Sequence, residues 1–229
     1  YDLSKGSATV CDAAGNLLFY TDGNIVWDKN NDVMANGWDI NNDGNLAVNT
    51  CFIEPVFGQS SYNFDGVVIM PVPGNSHKYY VFSVPLIWNI NSINLYENVW
   101  QGKMYACIID MEANNGLGAV DSGYRGKVIA EEMAGNLHAV LGEDCNYWLL
   151  GFGSTGVYKA FNITAGGIDT LPVTSTLTPP LNPYVSELNL SPDRRKMAMA
   201  LSHEVQVADF NPATGVFAND FSIAAQECR

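Results

Sequence analysis

The residues best suited to binding a metal lie in the polar stretch 39–45, which reads DINNDGN. Asp39, Asn41 and Asp43 occupy alternate positions, as the first three oxygen ligands of a calcium loop do, and a glycine follows where such a loop turns sharply. The twelfth position is Thr50 instead of the bidentate glutamate of a complete loop. The stretch therefore predicts either a Ca²⁺ site or an Asx-rich turn that binds no metal.

A second candidate site is aromatic. Trp88, Tyr96 and Trp100 lie in an asparagine-rich stretch without a clear strand pattern, LIWNINSINLYENVW. Exposed aromatic rings beside amides could stack on sugar rings or anchor a protein partner. The alternative is an ordered loop that buries these rings in the core.

The sequence lacks the motifs of common enzyme active sites. The stretch 151–156 (GFGSTG) has the spacing of a dinucleotide fingerprint, but the strand-like VYKAFNI follows it where that fold needs a helix. His77, His138 and His203 form no HExxH pair, and no GxSxG occurs. We therefore predict that the chain is not an enzyme.

The elements that must position these residues are predicted to be strands. Alternating or wholly apolar runs such as LLFYT (17–21), VVIMP (67–71) and YYVFSV (79–84) are bounded by turn residues. Only residues 128–134 (VIAEEMA) have a plausibly helical pattern. The predicted fold class is all-β.

The strands recur as a repeating unit. Four polar turns each precede an apolar strand, and three glycine turns follow later in the unit; the polar turns are 12–16, 73–77, 142–146 and 191–195, and the glycine turns are 115–118, 165–167 and 213–215. Gly116 and Gly166 are 50 residues apart, and Gly166 and Gly215 are 49 apart. A period near 50 built from strands indicates a β-propeller of the WD-repeat type, in preference to a β-sandwich.

The length predicts a single propeller domain over residues 1–229. At about 50 residues per blade, 229 residues supply between four and five blades. We expect the chain to be C-terminally incomplete and part of a larger ring, which a further portion or a companion chain would complete.

The formal net charge is −13, from 11 basic and 24 acidic residues. Such a charge repels nucleic acids and anionic membrane surfaces, and no apolar run reaches the roughly 18 residues of a membrane span. We predict no nucleic-acid partner and no membrane insertion. Among five widely spaced cysteines, Cys107 in YACIID is predicted to be a buried thiol, and Cys145 is the better candidate for a disulfide.

One block of sequence resembles a known family. Residues 6–37, GSATVCDAAGNLLFYTDGNIVWDKNNDVMANG, are similar to the opening of propellers in large secreted Bacteroidetes proteins of the gliding-motility-associated and type IX secretion sorting-domain type. Further matches are VPGNSHKYYVFSV, IIDMEANNGLGAV, CNYWLLGFG, NLSPDRRKMAMA and VADFNPATGVFAN. The resemblance implies a WD-repeat-like propeller, exposed on the outer-membrane surface or released from the cell, without known catalysis.

These observations predict a non-catalytic binding, adhesion or scaffolding module with a protein or glycan partner at the cell surface. Two alternatives remain open. One is a propeller-type glycosidase or lyase, which would need acidic residues that converge near the ring axis. The other is a structural subunit of a surface fibre or secretion-associated complex.

Overall fold

The computed structural model describes residues 6–42, 61–62, 66–87, 102–153, 157–178, 187–200 and 204–224. Strands make up 58% of these described residues, and no α-helix occurs among them. The all-β prediction is therefore confirmed. Two 3-10 turns, Asn114–Gly116 and Ser122–Tyr124, interrupt the strands.

The described residues form eighteen strands, paired antiparallel within their sheets. Their bounds are β1 Ala8–Cys11, β2 Leu17–Thr21, β3 Val26–Asp28, β4 Ser61–Tyr62, β5 Val67–Pro71, β6 Lys78–Ser83, β7 Leu86–Ile87, β8 Gly102–Asp110, β9 Ala119–Val120, β10 Lys127–Leu141, β11 Tyr147–Gly153, β12 Val157–Thr164, β13 Gly167–Ile168, β14 Val173–Thr176, β15 Glu187–Leu190, β16 Lys196–Ala200, β17 Glu204–Asn211 and β18 Val216–Ala224. The described strands form sheets of three, nine and four strands and the separate pair β4–β7. The chain divides into two compact units.

The first unit comprises Tyr1–Pro71 and Asn75–Gly135. Its first sheet has the order β1-β2-β3, and its second contains β5, β6, β8 and the start of β10, with β9 paired to β8. The two sheets share one apolar core: Phe19, Val26, Met34, Ile40, Val67, Val81, Cys107, Ile109 and Val120. Burial of this apolar surface is what holds the sheets together.

The second unit comprises Val72–Gly74 and Asn136–Arg229. One of its sheets contains the pair β11–β12, with β13 and β14 both paired to β12, and the other has the order β15-β16-β17-β18. The Trp148 indole donates to the carbonyl of Pro212 (2.8 Å), and the amide of Phe217 donates to the Ser175 hydroxyl (2.9 Å). These contacts show that the two sheets lie against each other.

The predicted turns join antiparallel strands. The stretch 12–16 joins β1 to β2, and the Asp12 carboxylate accepts hydrogen bonds from the amides of Ala14 (2.9 Å) and Asn16 (2.8 Å). The turns at 73–77, 142–146 and 191–195 likewise precede β6, β11 and β16. Local Asx hydrogen bonds are sufficient to specify such turns, so a single sequence can reveal them.

The helix-like pattern of residues 128–134 forms a strand, in agreement with the all-β prediction. These residues lie in β10, which pairs with β8 from Lys127↔Ala106 to Met133↔Gly102. The register shifts twice in this pairing, and Glu132 has a positive φ of 57°. A β-bulge breaks strict alternation, so the apolar positions take a spacing that imitates a helix.

Cys107 lies in β8 and is 1% exposed, as predicted for this thiol. Burial raises its pKa to about 12, so almost none of it is the reactive thiolate at neutral pH. Cys11, Cys107 and Cys145 form no disulfide with one another, and Cys11 and Cys145 are exposed. The disulfide expected for Cys145 stays a prediction, because other cysteines lie outside the described residues.

We expect iodoacetamide to alkylate Cys11 at least a hundredfold faster than Cys107 in the native chain, because the thiolate is the nucleophile. Peptide mass spectrometry after timed labelling measures both rates in one sample. In urea the two cysteines should react alike. Equal rates in the native chain would contradict the burial of Cys107.

Candidate functional site

The predicted calcium residues are only partly described. Asn41 is 3% exposed and ties two elements together: its Nδ2 donates to the carbonyl of Gly23 (3.0 Å), and its Oδ1 accepts from the Ser83 hydroxyl (2.6 Å). Asp39 has a positive φ of 48°. Asp43 lies outside the described residues. Asn41 therefore has a structural role whether or not a metal binds.

Among the described residues, two buried polar atoms of this region have no hydrogen-bond partner: Asp39 Oδ1 and Asn24 Nδ2. The turns that carry them are adjacent, since the amide of Ile40 donates to the carbonyl of Asn24 (3.0 Å). An unpartnered carboxylate oxygen suits a cation, whereas an amide N–H does not. Among the described residues no three His, Cys, Asp or Glu side chains form a group able to hold a metal. The Ca²⁺ site thus stays a prediction.

An exposed tryptophan marks this same segment. Trp38 is 57% exposed, and it precedes the turn in which the amide of Asn42 donates to the carbonyl of Asp39 (2.9 Å). Single exposed apolar residues are common on protein surfaces, so Trp38 is a candidate contact only together with the groups around it. Trp38 is therefore the described aromatic side chain best placed to contact a ligand.

The segment after the second 3-10 turn lies directly against this turn. The backbone at Gly126 is so close that an added Cβ would stand 2.4 Å from the Asn41 carbonyl oxygen. The Arg125 guanidinium donates to Asn42 Oδ1 (3.2 Å), and the Asp121 carboxylate accepts from the amide of Gly123 (2.8 Å). Residues 41–42 and 125–126 are thus in contact through their backbones and through one side-chain hydrogen bond.

Aromatic and cationic groups extend this area. The ammonium of Lys127 lies 4.9 Å from the ring centroid of Tyr124, and the Tyr124 and Tyr80 centroids are 6.1 Å apart. Burial raises the pKa of both tyrosines, so their hydroxyls stay protonated and can donate hydrogen bonds. We use the name Trp38 surface for the following side chains: Trp38, Asn42, Tyr124, Arg125 and Lys127.

The Trp38 surface differs from the rest of the chain in charge. The protein carries 24 acidic and 11 basic residues, yet this surface has two cations. Within the described ranges, Arg125 and Lys127 form no ion pair, whereas Lys78, Lys103, Arg195 and Lys196 each pair with a carboxylate. The guanidinium donors of Arg125 other than the one that bonds Asn42, and the ammonium of Lys127 beside the Tyr124 ring, can donate to a ligand.

The sequence prediction placed the aromatic site elsewhere. Trp88, Tyr96 and Trp100 lie outside the described residues, so that prediction stays a prediction. The sequence does contain a signal for Trp38, which stands among polar and turn residues in NGWDINN instead of in an apolar run. A tryptophan in such surroundings has no strand face to occupy and is exposed.

The other sequence candidates have structural roles. Gly151 and Gly153 lie in β11, where Gly151 pairs with Lys159 of β12, so a hairpin follows the GxG pattern instead of a helix. His77 is exposed in its turn, with Nε2 3.6 Å from Glu112 Oε1. Burial lowers the pKa of His138. His203 lies outside the described residues.

The strongest cluster of polar groups in the second unit is buried. The Tyr158 hydroxyl donates to Gln206 Oε1 (2.7 Å), and Gln206 Nε2 donates to Asp220 Oδ2 (3.0 Å) and to the carbonyl of Thr178 (2.8 Å). Tyr158 and Gln206 are both 0% exposed. Burial raises the pKa of Tyr158, and nearby Asp220 and Glu204 raise it further. A substrate could not reach this hydroxyl without opening the core.

Neither the family models nor the curated proteins compared with this chain match it. In the part of the chain that the structure describes, no helix has the length and apolarity needed to cross a bilayer.

Proposed function

We propose that the chain is a non-catalytic binding module, built as a WD-repeat-like β-propeller and presented outside the cell or on the outer-membrane surface. The fold part of the proposal is supported by the recurrence of turns about every 50 residues in the sequence and by the packing of one sheet on another within each compact unit. Each four-stranded blade of a propeller buries its faces against its neighbours in this way. The location rests on the resemblance of residues 6–37 to secreted Bacteroidetes propellers.

The Trp38 surface is the observation that carries the binding function. The Trp38 indole, at 57% exposure, offers a stacking face, and Asn42, four residues further along the chain and hydrogen-bonded to Arg125, adds polar groups. That combination suits a sugar ring, whose apolar face stacks on an aromatic ring while its hydroxyls bind polar groups. The net charge of −13 disfavours polyanions at long range. The favoured ligand is therefore an uncharged glycan.

Enzymatic function is less well supported than binding. Asp220 and Glu204 act electrostatically on the Tyr158 hydroxyl, which is fully buried and already donates to Gln206. A glycosidase needs carboxyl groups that face a substrate. This geometry instead favours a structural role for the cluster.

Trp38→Ala should reduce binding to an uncharged glycan at least tenfold, because truncating an exposed aromatic anchor removes most of its contact area. The probe is an array of immobilised neutral polysaccharides, including β-glucans, mannans and galactans, followed by calorimetric titration with the strongest ligand. Leu171→Ala serves as the control, since Leu171 is 82% exposed and lies in the second unit. Absence of binding by the unaltered chain, or equal binding by the Trp38 variant, would refute the proposal.

A further inference from the structure

The sequence contains two Asn-Gly pairs, Asn36–Gly37 and Asn115–Gly116, and both fall among the described residues. An asparagine before glycine is especially prone to lose its side-chain amide, since glycine has no Cβ to shield its backbone nitrogen. Both asparagines are exposed, and both have a left-handed backbone, with a φ of 59° at Asn36 and 54° at Asn115. The two pairs therefore share the same chemistry, and only their surroundings can make their reactivities differ.

The reaction is an intramolecular displacement in which the backbone nitrogen of the glycine attacks the side-chain Cγ of the asparagine. The new N–C bond closes a succinimide ring, the Cγ–Nδ2 bond breaks, and the amide leaves as ammonia with the proton that the backbone nitrogen has lost. Water then opens the ring at one of its two carbonyls, which gives aspartate or isoaspartate. Because the attacking nitrogen must first lose its proton, the reaction requires that solvent reach this N–H, as amide hydrogen exchange does.

Hydrogen bonds hold the Asn36–Gly37 pair in place. The amide of Gly37 donates to the carbonyl of Met34 (2.8 Å), and its carbonyl accepts from the amide of Val26 (2.9 Å). Asn36 Nδ2 donates to the carbonyl of Val120 (3.2 Å). Gly37 is buried, and an added Cβ would stand 2.7 Å from the Val26 carbonyl oxygen. Attack at Asn36 would therefore break these bonds and displace a backbone that is in close contact with its neighbours.

The Asn115–Gly116 pair lies in an open turn. The amide of Gly116 donates to the carbonyl of Ala113 at 3.1 Å, and the amide of Gly118 shares this acceptor (3.1 Å). An added Cβ at Gly116 would meet nothing within 4 Å. In the described part of the chain no hydrogen bond holds the Asn115 side chain. One long hydrogen bond is thus what keeps the Gly116 nitrogen from solvent, and exposed turns of this kind open at little cost in free energy.

Backbone strain favours the opening of the same turn. Asn114, Asn115 and Gly116 are left-handed in succession, with φ values of 50°, 54° and 81°. This conformation is costly for residues with a Cβ, although asparagine adopts it more readily than most. At the other pair Asn36 is left-handed but Gly37 is not. Opening therefore relieves more strain at Asn115 than at Asn36.

We infer that Asn115 is a site of spontaneous deamidation, and that Asn36 is protected although its sequence signal is the same. The modification converts Asn115 to aspartate or isoaspartate in the turn between β8 and β9. It adds a negative charge to a chain whose formal net charge is already −13. An isoaspartate in this exposed turn is also a substrate for the class of enzymes that methylate isoaspartyl carboxylates.

Incubation of the full chain at mildly alkaline pH, followed by peptide mass spectrometry over several weeks, tests the inference. Asn115 should deamidate at least about tenfold faster than Asn36, which requires only about 1.4 kcal/mol more opening free energy at Asn36. In urea the two asparagines should react at comparable rates, because each precedes a glycine. Methyl transfer from S-adenosylmethionine by an isoaspartyl methyltransferase should label the aged chain, and Asn115→Gln should lose most of this label.

Hydrogen exchange supplies an independent measurement on the fresh protein. The amide of Gly37 should exchange at least about tenfold more slowly than that of Gly116, because the same opening admits solvent to each nitrogen. Deamidation of Asn36 at a rate equal to or above that of Asn115 in the native chain would overturn the inference. So would an Asn115 that stays intact while the urea-unfolded chain is converted.

Discussion

Replacing Gly126 with alanine is expected to destabilise the native state by about 3 kcal/mol, combining left-handed backbone strain with a steric clash. Gly126 has a φ of +65°, and an added Cβ would lie 2.4 Å from the Asn41 carbonyl oxygen and 2.6 Å from Asn42 Cβ. The backbone atoms of Asn41 cannot move aside as easily as the end of a flexible side chain can. The turn that carries Trp38 must therefore move, so glycan binding should fall together with stability. Urea denaturation followed by circular dichroism measures the loss of stability.

Gly116→Ala is the matched control for this prediction. Gly116 lies in the same unit with a φ of +81°, but an added Cβ meets nothing within 4 Å. This variant should lose only about 1 kcal/mol from backbone strain and should bind glycan like the unaltered chain. If the two variants were equally stable, the close contact between Gly126 and the Asn41–Asn42 backbone would be disproved.

Gln206→Glu is expected to produce the strongest dependence of stability on pH. The substituted side chain would have the same shape, but an ionised carboxylate would face Asp220 Oδ2 and the Thr178 carbonyl, which Gln206 Nε2 now contacts at 3.0 Å and 2.8 Å. A buried charge facing acceptors costs about 3–5 kcal/mol. Most of the native stability should therefore be lost at pH 7.5.

The sign of the pH effect follows from the burial. Burial and the neighbouring acceptors raise the pKa of the introduced carboxyl above the value of about 4.3 in the unfolded chain. The variant therefore keeps most of its stability below about pH 4 and loses it as the pH rises through the folded-state pKa. Unfolding in urea at pH 4 and pH 7.5, each relative to the unaltered chain, measures this difference.

Tyr158→Phe separates the charge from the lost hydrogen bond. It removes the hydroxyl that donates to Gln206 Oε1 and should cost about 1–2 kcal/mol at both pH values. If Gln206→Glu lost the same free energy of unfolding at pH 4 and at pH 7.5, the position would be hydrated, in conflict with its complete burial.

The local features of the fold could be predicted from the sequence. The bounds of β2 and β5 match the predicted runs 17–21 and 67–71, because apolar alternation and turn residues act over a few neighbours. The Asx turn at 12–16 was predictable for the same reason. The pattern of residues 128–134 does not reveal a bulged strand, because bulges arise from pairing with a strand about 25 residues away in sequence, which periodicity does not register.

The candidate site was harder to predict because its contacts join distant residues. Asn42 and Arg125 are 83 positions apart, and Asn41 and Ser83 are 42 apart. Spacing along the chain identified Asn41 as a polar turn residue but could not show that its amide bonds to β6. Trp38 was overlooked in favour of an aromatic-rich stretch, although its polar neighbours signal exposure.

A crystal structure of the chain is the most direct test of the proposed propeller. The proposal predicts that the successive sheets stand around a common axis, with each sheet packed against the next one in sequence and the Trp38 surface open to solvent. Two sheets stacked as a sandwich, or a Trp38 side chain buried beneath another element, would contradict it.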